Sequence, residues 1–350
     1  MIISTTGNLI VAETEALVNT VNCEGFMGKG IALQFKQAFP DNYKAYKKVC
    51  DRGELRPGHM FIFDTGSMVF PKYIINFPTK DKWRAPSKME YIKDGLAELI
   101  SEIRRLEIKS VAVPPLGAGL GGLDWKKVKP LIEEAFAALP EVEVQLFEPK
   151  GAPKAKDMPI RTKRPELTVA RSLFIALIHN YTMVAWHITL LEIQKLAYFL
   201  QTAGQPMKLK YVAHIYGPYA DNLNKVLENL EGHYTQGYGD SRKHDVEIEL
   251  LPKAYEQAAE VLTEDKDALD RLDRVQSLIS GFETPYGLEL LATVHWLAAE
   301  GRAMNEDQAV QGVWSWNDRK RRLFKEKHIR QVWGHLQNEG WINSAAEGKA

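Results

Sequence analysis

The sequence has few cysteines, no excess of either charge and no long apolar run. Cys23 and Cys50 are the only cysteines among 350 residues, and two cannot build the disulfide framework of a small secreted domain. No apolar stretch approaches the roughly 20 residues that cross a bilayer. The N-terminal residues lack the basic start of a signal peptide. We therefore expect a cytoplasmic protein that is not inserted in a membrane.

Two familiar kinds of ligand site are also missing. Neither of two glycine-rich segments is a Walker A loop, because no Gly-Lys-Ser/Thr closes it. The nine histidines are scattered without HxxxH or Cys/His spacing. We therefore expect no metal and no cofactor.

The formal net charge is zero, but charge is distributed unevenly along the chain. Residues 1–150 carry about +1, residues 151–165 about +4 and the remainder about −5, with acidic side chains concentrated at 245–273. Proteins that hold nucleic acid through its phosphates are usually basic, so the C-terminal half is a poor candidate for gripping DNA. A solvated helix face explains a single acidic residue better than it explains the whole block.

Length and residue pattern predict two domains joined by a linker. In residues 1–150, strand-like and helix-like segments alternate, which predicts an α/β domain with a mixed central sheet between helices. Residues 151–165 are rich in Pro, Lys and Ala without periodicity and are typical of a linker. Residues 166–350 carry apolar side chains at helical spacing and predict a mostly α-helical domain.

The pattern also predicts where individual elements begin and end. In the first domain, strands are predicted at 1–4, 16–21, 59–64, 72–77, 110–114 and 143–147, and helices at 30–39, 41–51, 87–106 and 124–139. Ser87 and Glu90 predict a capping box, and Asp124 predicts the N-cap of the last of these helices. In the second domain, one predicted helix covers 219–230.

Three loops that follow predicted strands have the composition of ligand-binding turns. Residues 22–31 (NCEGFMGKGI) and 115–123 (PLGAGLGGL) each lead into a helix, and their glycines let the backbone approach a ligand and offer amide donors. A tight turn would explain either segment alone. Together they suggest a pyrophosphate site at the carboxyl ends of strands. Residues 78–84 (PTKDKWR) form the third loop.

Four segments resemble the macrodomain family and occur in its order: TGNLI at 6–10, ALVNTVNCEGFMGKGIALQF at 16–35, YIINFPTK at 73–80 and VPPLGAGLGGLDW at 113–125. Within the family, INFPTK and GLGGLDW are similar to the DarG antitoxins and to terminal ADP-ribose protein glycohydrolase. QKLAYF at 194–199 and YGPY at 216–219 resemble the helical antitoxin domain called Panacea or SocA-like. The resemblance implies an antitoxin that hydrolyses ADP-ribose from thymine bases of single-stranded DNA, and whose C-terminal domain binds a DarT-like ADP-ribosyltransferase toxin.

The resemblance also implies residue roles. Lys80 would be catalytic, at the anomeric carbon. The ADP-ribose-binding residues would be Asn8 and Leu9 at the adenine, Thr20, Val21 and Asn22 at the distal ribose, Ile31, Ala32, Leu33 and Gln34 beside the diphosphate, Thr79 beside Lys80, and Gly117, Ala118, Gly119, Leu120 and Gly121 around the phosphates and distal ribose. An Asx turn alone would explain Asn22, but its place at a strand end favours ligand contact. Macrodomains often carry Asp in place of Asn8, and terminal ADP-ribose protein glycohydrolase carries Asp in place of Gly121, so Lys80 would bear more of the chemistry.

Lys80 could act in two ways. As a neutral amine it could attack the anomeric carbon and form a Schiff base, and as an ammonium it could stabilise the leaving base or position the ribose. Beside it, the cations Lys82, Arg84 and Lys88 and the aromatic Trp83 could steer and stack a single strand. Three alternatives stay open: a non-catalytic ADP-ribose reader, a hydrolase of ADP-ribosylated protein carboxylates, and an interaction protein whose enzymatic half is vestigial.

Two features of the second domain suggest how it would bind a partner. Tyr216 and Tyr219 flank a Gly-Pro turn, and exposed aromatic side chains are frequent hot spots of interfaces. The acidic block at 245–273 could occupy a toxin's DNA groove by mimicking phosphate charge. We therefore expect toxin contacts at one or both of these places.

Overall fold

The computed structural model describes residues 1–149, 158–240 and 245–343, and its contacts form two units. The first is Met1–Arg164 with a short segment from Gly239, and the second is the remainder from Pro165 onward. Of the linker predicted at 151–165, residues 151–157 lie outside the described residues. Further along, the backbone N–H of Arg161 donates to the carbonyl of Gln37 at 2.9 Å, so this part of the segment packs within the first unit.

A six-stranded sheet forms the centre of the first unit. Its strands are β1 (Ile2–Thr5), β2 (Ala16–Val21), β3 (Phe61–Asp64), β4 (Tyr73–Pro78), β5 (Ser110–Val113) and β6 (Glu143–Phe147). They lie in the order β1-β6-β5-β2-β4-β3, and every neighbouring pair is parallel except β3 and β4. The predicted mixed sheet is confirmed.

Helices cover both faces of this sheet. They are α1 (Gly30–Ala38), α2 (Pro40–Asp51), α3 (Met89–Arg105) and α4 (Trp125–Phe136). Alternate residues of β2 point to opposite faces, so Val18 packs with α3 and α4 whereas Leu17 packs with α1. This two-sided burial explains why β2, β4 and β5 carry apolar residues on both faces.

The two predicted helix caps have different outcomes. Asp124 is the N-cap of α4, and its carboxylate accepts a hydrogen bond from the N–H of Lys126 at 3.0 Å, as predicted. The capping box at Ser87 and Glu90 is wrong, because α3 begins at Met89 and no side chain caps it. The reason is that the Ser87 N–H donates to the carbonyl of Gly121, which holds Ser87 outside the helix.

The second unit is mostly helical, as predicted. Its helices are α5 (Val169–Val184), α6 (Leu190–Thr202), α7 (Leu223–Leu230), α8 (Ala254–Leu262), α9 (Lys266–Ile279), α10 (Pro285–Ala299), α11 (Glu306–Trp316), α12 (Asp318–Leu323) and α13 (Glu326–Asn338). Two antiparallel strand pairs accompany them: β7 (Tyr211–His214) with β8 (Gly217–Ala220), and β9 (Thr235–Gln236) with β10 (Glu249–Leu250). Helices α6 and α10 are buried around most of their circumference and form the centre of this unit.

The helix predicted at 219–230 starts later, at Leu223. Tyr219 belongs instead to β8, where it pairs with Val212. The cause lies in the Gly-Pro turn, since Gly217 has φ of +92° and begins a strand rather than a helix. Within the described part of the chain, no helix is both long and apolar enough to cross a membrane.

Candidate functional site

Three loops emerge side by side at one edge of the sheet. Strands β5, β2 and β4 are neighbours and parallel, so the segments that follow them share the carboxyl edge. We call residues 22–29 the first loop, 79–88 the second loop and 114–123 the third loop. This edge is where open α/β sheets bind ligands.

Backbone hydrogen bonds join these loops to one another. The N–H of Cys23 donates to the carbonyl of Asp81 at 3.0 Å, which ties the first loop to the second. The N–H of Ser87 donates to the carbonyl of Gly121 at 3.0 Å, which ties the second loop to the third. The edge is therefore a connected surface rather than three independent turns.

Lys80 lies where the second and third loops meet. Its side chain is buried, with 7% of the residue exposed, and its ammonium nitrogen donates to the carbonyl of Leu120 at 2.9 Å. The Leu120 side chain in turn approaches Gly30 at the start of α1, where an added Cβ would lie 3.1 Å from Leu120 Cδ1. Lys80 therefore contacts the third loop through its side chain and the first loop through its carbonyl, which accepts from Cys23. The neighbouring Thr79 is also buried.

Asn22 shapes the first loop. Its side-chain oxygen accepts from the N–H groups of Glu24 at 2.9 Å and Phe26 at 3.3 Å, and its side-chain nitrogen donates to the Phe26 carbonyl at 2.6 Å. The hydroxyl of Tyr46 on α2 donates to the Asn22 carbonyl at 2.6 Å. Asn22 therefore forms the Asx turn that the sequence offered as the alternative to ligand contact. The hydrogen bond from Tyr46 holds its backbone in place.

Three buried asparagines, Asn19, Asn42 and Asn76, form a hydrogen-bonded cluster between the sheet and α2. Asn76 on β4 donates to the side-chain oxygen of Asn42 at 2.7 Å and accepts from Asn19 at 3.1 Å. The Asn19 amide nitrogen also lies 3.8 Å from the sulfur of Met27 in the first loop. Such a cluster ties β2, β4 and α2 together and was not identified from the sequence.

The third loop leaves no room for a side chain at Gly121. A Cβ there would lie 2.3 Å from the carbonyl oxygen of Gly117 and 2.3 Å from the hydroxyl of Ser87. At Gly119, by contrast, a Cβ would meet nothing within 4 Å. The aspartate expected at position 121 from the eukaryotic relative is therefore sterically incompatible with this backbone.

The other predicted ligand residues lie at the same edge of the sheet. Asn8 follows β1, and its side chain caps the 3₁₀ turn Leu9–Val11 by accepting from the N–H of Ile10 at 3.0 Å. Thr20 and Val21 end β2. The remaining predicted residues lie in the first two turns of α1 or in the third loop: Ile31, Ala32, Leu33, Gln34, Gly117, Ala118, Gly119, Leu120 and Gly121.

Cys23 lies next to Lys80 but is a poor nucleophile. Burial, together with the negative charges of Asp81 and Glu24, raises the pKa of the Cys23 thiol to about 12. Its sulfur donates to the Lys80 carbonyl at 3.5 Å. The thiol is therefore protonated at neutral pH, which leaves Lys80 as the nucleophilic candidate.

Two partly exposed aromatic side chains meet between the first and second loops. The Phe26 and Trp83 ring centroids are 5.8 Å apart with planes tilted by 49°, and the Arg84 guanidinium lies 4.4 Å from the Trp83 ring centroid. Sequence reasoning identified Trp83 and Arg84 but missed Phe26, whose flanking glycine and methionine gave no signal. Among the described residues, no group of three or more His, Cys, Asp or Glu could hold a metal ion.

In the second unit, the buried Lys195 contacts the YGPY hairpin. The Lys195 ammonium donates to the Pro218 carbonyl at 2.7 Å, and burial beside Lys320 lowers the pKa of Lys195 to about 7. Arg319 lies 4.6 Å from the Tyr216 ring centroid. Tyr219 is half-buried, with its ring 5.0 Å from His214 and its hydroxyl accepting from Asn224 at 3.0 Å.

The acidic block occupies α8, α9 and the residues around them. Nine of its acidic residues are exposed: Asp245, Glu247, Glu249, Glu256, Glu260, Glu264, Asp267, Asp270 and Asp273. Those within α8 and α9 lie on the helix faces opposite the apolar residues that pack into the core. The predicted acidic surface is therefore available to a partner.

Comparisons with known proteins fit this architecture. The chain matches the Macro domain family over residues 18–132. It is 48% identical over 335 residues to a DNA ADP-ribosyl glycohydrolase of Thermus aquaticus, covering 95% of this chain and 92% of the relative. A DNA ADP-ribosyl glycohydrolase of Mycobacterium bovis is 43% identical over 345 residues, covering 94% and 97%. A DNA ADP-ribosyl transferase-DNA ADP-ribosyl glycohydrolase fusion protein of Thermosipho africanus is 32% identical over 41% of this chain and 40% of its own length.

Proposed function

This chain belongs to the family of DNA ADP-ribosyl glycohydrolases, and we propose that its first unit hydrolyses the N-glycosidic bond between ADP-ribose and thymine in single-stranded DNA. The macrodomain expected from the sequence is confirmed. The observation that carries the proposal is the buried Lys80, whose ammonium is held between the second and third loops by the Leu120 carbonyl.

Cleaving this bond builds positive charge on the ribose and negative charge on the departing base. As an ammonium, Lys80 can stabilise the negative charge on the leaving thymine. As a neutral amine it would instead bond to the anomeric carbon as the base leaves, and the imine of the opened sugar would then take up water to release ADP-ribose. Because Gly121 has no space for a carboxylate, either route relies on the lysine.

The test is release of free ADP-ribose from an ADP-ribosylated thymidine oligonucleotide by the full chain. We expect release by the wild type and by Lys93→Ala, which replaces an exposed lysine of α3, and none by Lys80→Ala. If neither the wild type nor the variant releases ADP-ribose while free ADP-ribose still binds, the domain is a reader. Release from an ADP-ribosylated glutamate peptide but not from the oligonucleotide would make it a hydrolase of protein carboxylates.

Borohydride separates the two roles of Lys80. A Schiff base between the lysine and the opened sugar would be reduced to a stable adduct, which mass spectrometry would detect as ADP-ribose bound at Lys80. Full activity without any adduct would favour the ammonium role.

We also propose that the second unit binds an ADP-ribosyltransferase toxin. Support comes from the Thermosipho relative, a DNA ADP-ribosyl transferase-DNA ADP-ribosyl glycohydrolase fusion protein. The YGPY hairpin and the exposed acids of α8 and α9 are the candidate contacts. Neutralising Glu260, Glu264 and Asp267 should slow association with the toxin. Unchanged affinity and rate would remove phosphate mimicry from the proposal.

A further inference from the structure

We infer that Phe26 and Trp83 form the nucleobase-binding surface of this site and select substrates in which a base carries the ADP-ribose. The role of this aromatic pair rests on the proposed function, because the base in question is the one that leaves beside Lys80. It goes beyond that function by naming what distinguishes a nucleic-acid substrate from a protein one.

The exposure of Phe26 is the first observation. Its side chain is 49% exposed although it stands in a loop whose next residue, Met27, is fully buried. Covering an exposed apolar ring with a ligand is favourable, because it removes apolar surface from water. Because its centroid lies 5.8 Å from that of Trp83, the two rings make one apolar surface that spans the first and second loops.

The position of the pair relative to Lys80 is the second observation. Trp83 follows Lys80 by three residues in the second loop. The first loop reaches the same place, because the Cys23 N–H donates to the Asp81 carbonyl and the Cys23 thiol to the Lys80 carbonyl. A base attached to the sugar at Lys80 would therefore lie next to the two rings.

The pair is also held rigidly before any ligand arrives. Asn22 binds both the N–H and the carbonyl of Phe26, and the Glu24 carboxylate accepts from the Trp83 N–H at 2.8 Å. A surface that is already ordered loses little conformational entropy when a base stacks on it.

The charge around the pair favours a nucleotide over an amino acid. Every base offers a π face that stacks on an aromatic ring, and Arg84 lies 4.4 Å from the Trp83 ring centroid, where it can bind the phosphate of the strand. A glutamate or aspartate side chain offers neither group. The surface therefore discriminates between the two substrate classes left open by the sequence.

The experiment replaces each ring by an apolar side chain that cannot stack. Phe26→Leu and Trp83→Leu should each lower kcat/KM for the ADP-ribosylated thymidine oligonucleotide by about tenfold or more. Calorimetry should give an unchanged Kd for free ADP-ribose. In the Lys80→Ala background, the same substitutions should weaken binding of the modified oligonucleotide but not of ADP-ribose.

Phe70→Leu is the matched control. Phe70 is 48% exposed, with the Lys72 ammonium 5.7 Å from its ring centroid, and precedes β4 at the opposite edge of the sheet. Phe70→Leu should change neither kcat/KM for the modified oligonucleotide nor Kd for free ADP-ribose.

Three results would overturn the inference, and they are distinguishable. If the wild type releases ADP-ribose from DNA and both ring variants match it, the pair does not bind the base, although the proposed function stands. If the ring variants lose ADP-ribose affinity as well, the pair belongs to the ADP-ribose site. If the wild type does not act on DNA, the proposed function fails and the inference fails with it.

Discussion

The ammonium of Lys80 donates a hydrogen bond to the carbonyl oxygen of Leu120 at 2.9 Å. One residue of the third loop thereby orients the lysine of the second, while the Leu120 side chain approaches Gly30 at the start of α1. The lysine's position consequently depends on the backbone path of the third loop, which Gly121 constrains.

Gly121→Ala should disturb that path. The added Cβ would lie 2.3 Å from the Gly117 carbonyl oxygen, so the loop must move, at a cost of about 1–3 kcal/mol in the free energy of unfolding. Release of ADP-ribose should fall about tenfold or more, because Lys80 loses its acceptor. Urea unfolding would check the stability, with Gly119→Ala as the control that changes it by less than about 0.5 kcal/mol. Equal stability of the two variants would contradict the prediction.

Tyr46→Phe should loosen the first loop. The substitution removes the hydroxyl that donates to the Asn22 carbonyl at 2.6 Å, inside a fully buried site, and should cost about 1–2 kcal/mol in the free energy of unfolding. Tyr43→Phe on the same helix is the control. It removes a hydroxyl but keeps the ring that contacts Lys36. Chemical denaturation of the wild type and both variants measures the difference. A Tyr46→Phe protein as stable as the Tyr43→Phe protein would count against this role.

The second unit should lose stability in mild acid because of His295. Burial lowers the pKa of His295 to about 4, and its Nδ1 lies 2.7 Å from the Tyr198 hydroxyl. The unfolded chain binds this proton near pH 6.5, whereas the folded chain resists it down to about pH 4. The free energy of unfolding should therefore fall as pH drops from 6.5 to 4, by about 3 kcal/mol.

Unfolding curves at several pH values, for the wild type, His295→Gln and the exposed His187→Asn, would test this behaviour. We expect His295→Gln to flatten the dependence between pH 4 and 6.5 and His187→Asn to preserve it. A steep dependence in the His295→Gln protein would assign the acid sensitivity to other groups.

Tyr219→Ala should weaken binding of the toxin by about tenfold or more, as expected for an aromatic hot spot. Tyr286→Ala is the comparison, because Tyr286 also contacts a histidine ring, that of His328, at 5.7 Å. Calorimetry with the full chain and its cognate transferase gives both affinities. Equal affinities for the two variants would show that the YGPY hairpin is not the contact.

The sequence predicted those features that depend on local pattern. Strand β2 has the predicted bounds because its residues are mostly apolar and helices bury both of its faces. Asp124 was predicted because an N-cap acts on residues next to it in the chain. The macrodomain was recognised from segments that stand in the loops and their flanking strands.

Features that depend on distant contacts were missed or wrong. Ser87 has the sequence of a capping residue, but its backbone is bound to Gly121, 34 positions away. Tyr46 and Asn76 act through partners on other elements, so no local pattern marks them. Phe26 became a candidate only when folding brought Trp83 beside it.

The hydrogen bonds that join the three loops use main-chain atoms: Cys23 with Asp81, and Ser87 with Gly121. Every residue except proline has the same backbone N–H and C=O groups, so these bonds survive replacement of most side chains around them. The domain can therefore accumulate point substitutions on the loop surface while Lys80 keeps its place. An ancestral macrodomain with this framework could exchange one leaving group for another by single mutational steps, each of which yields a folded protein on which selection can act.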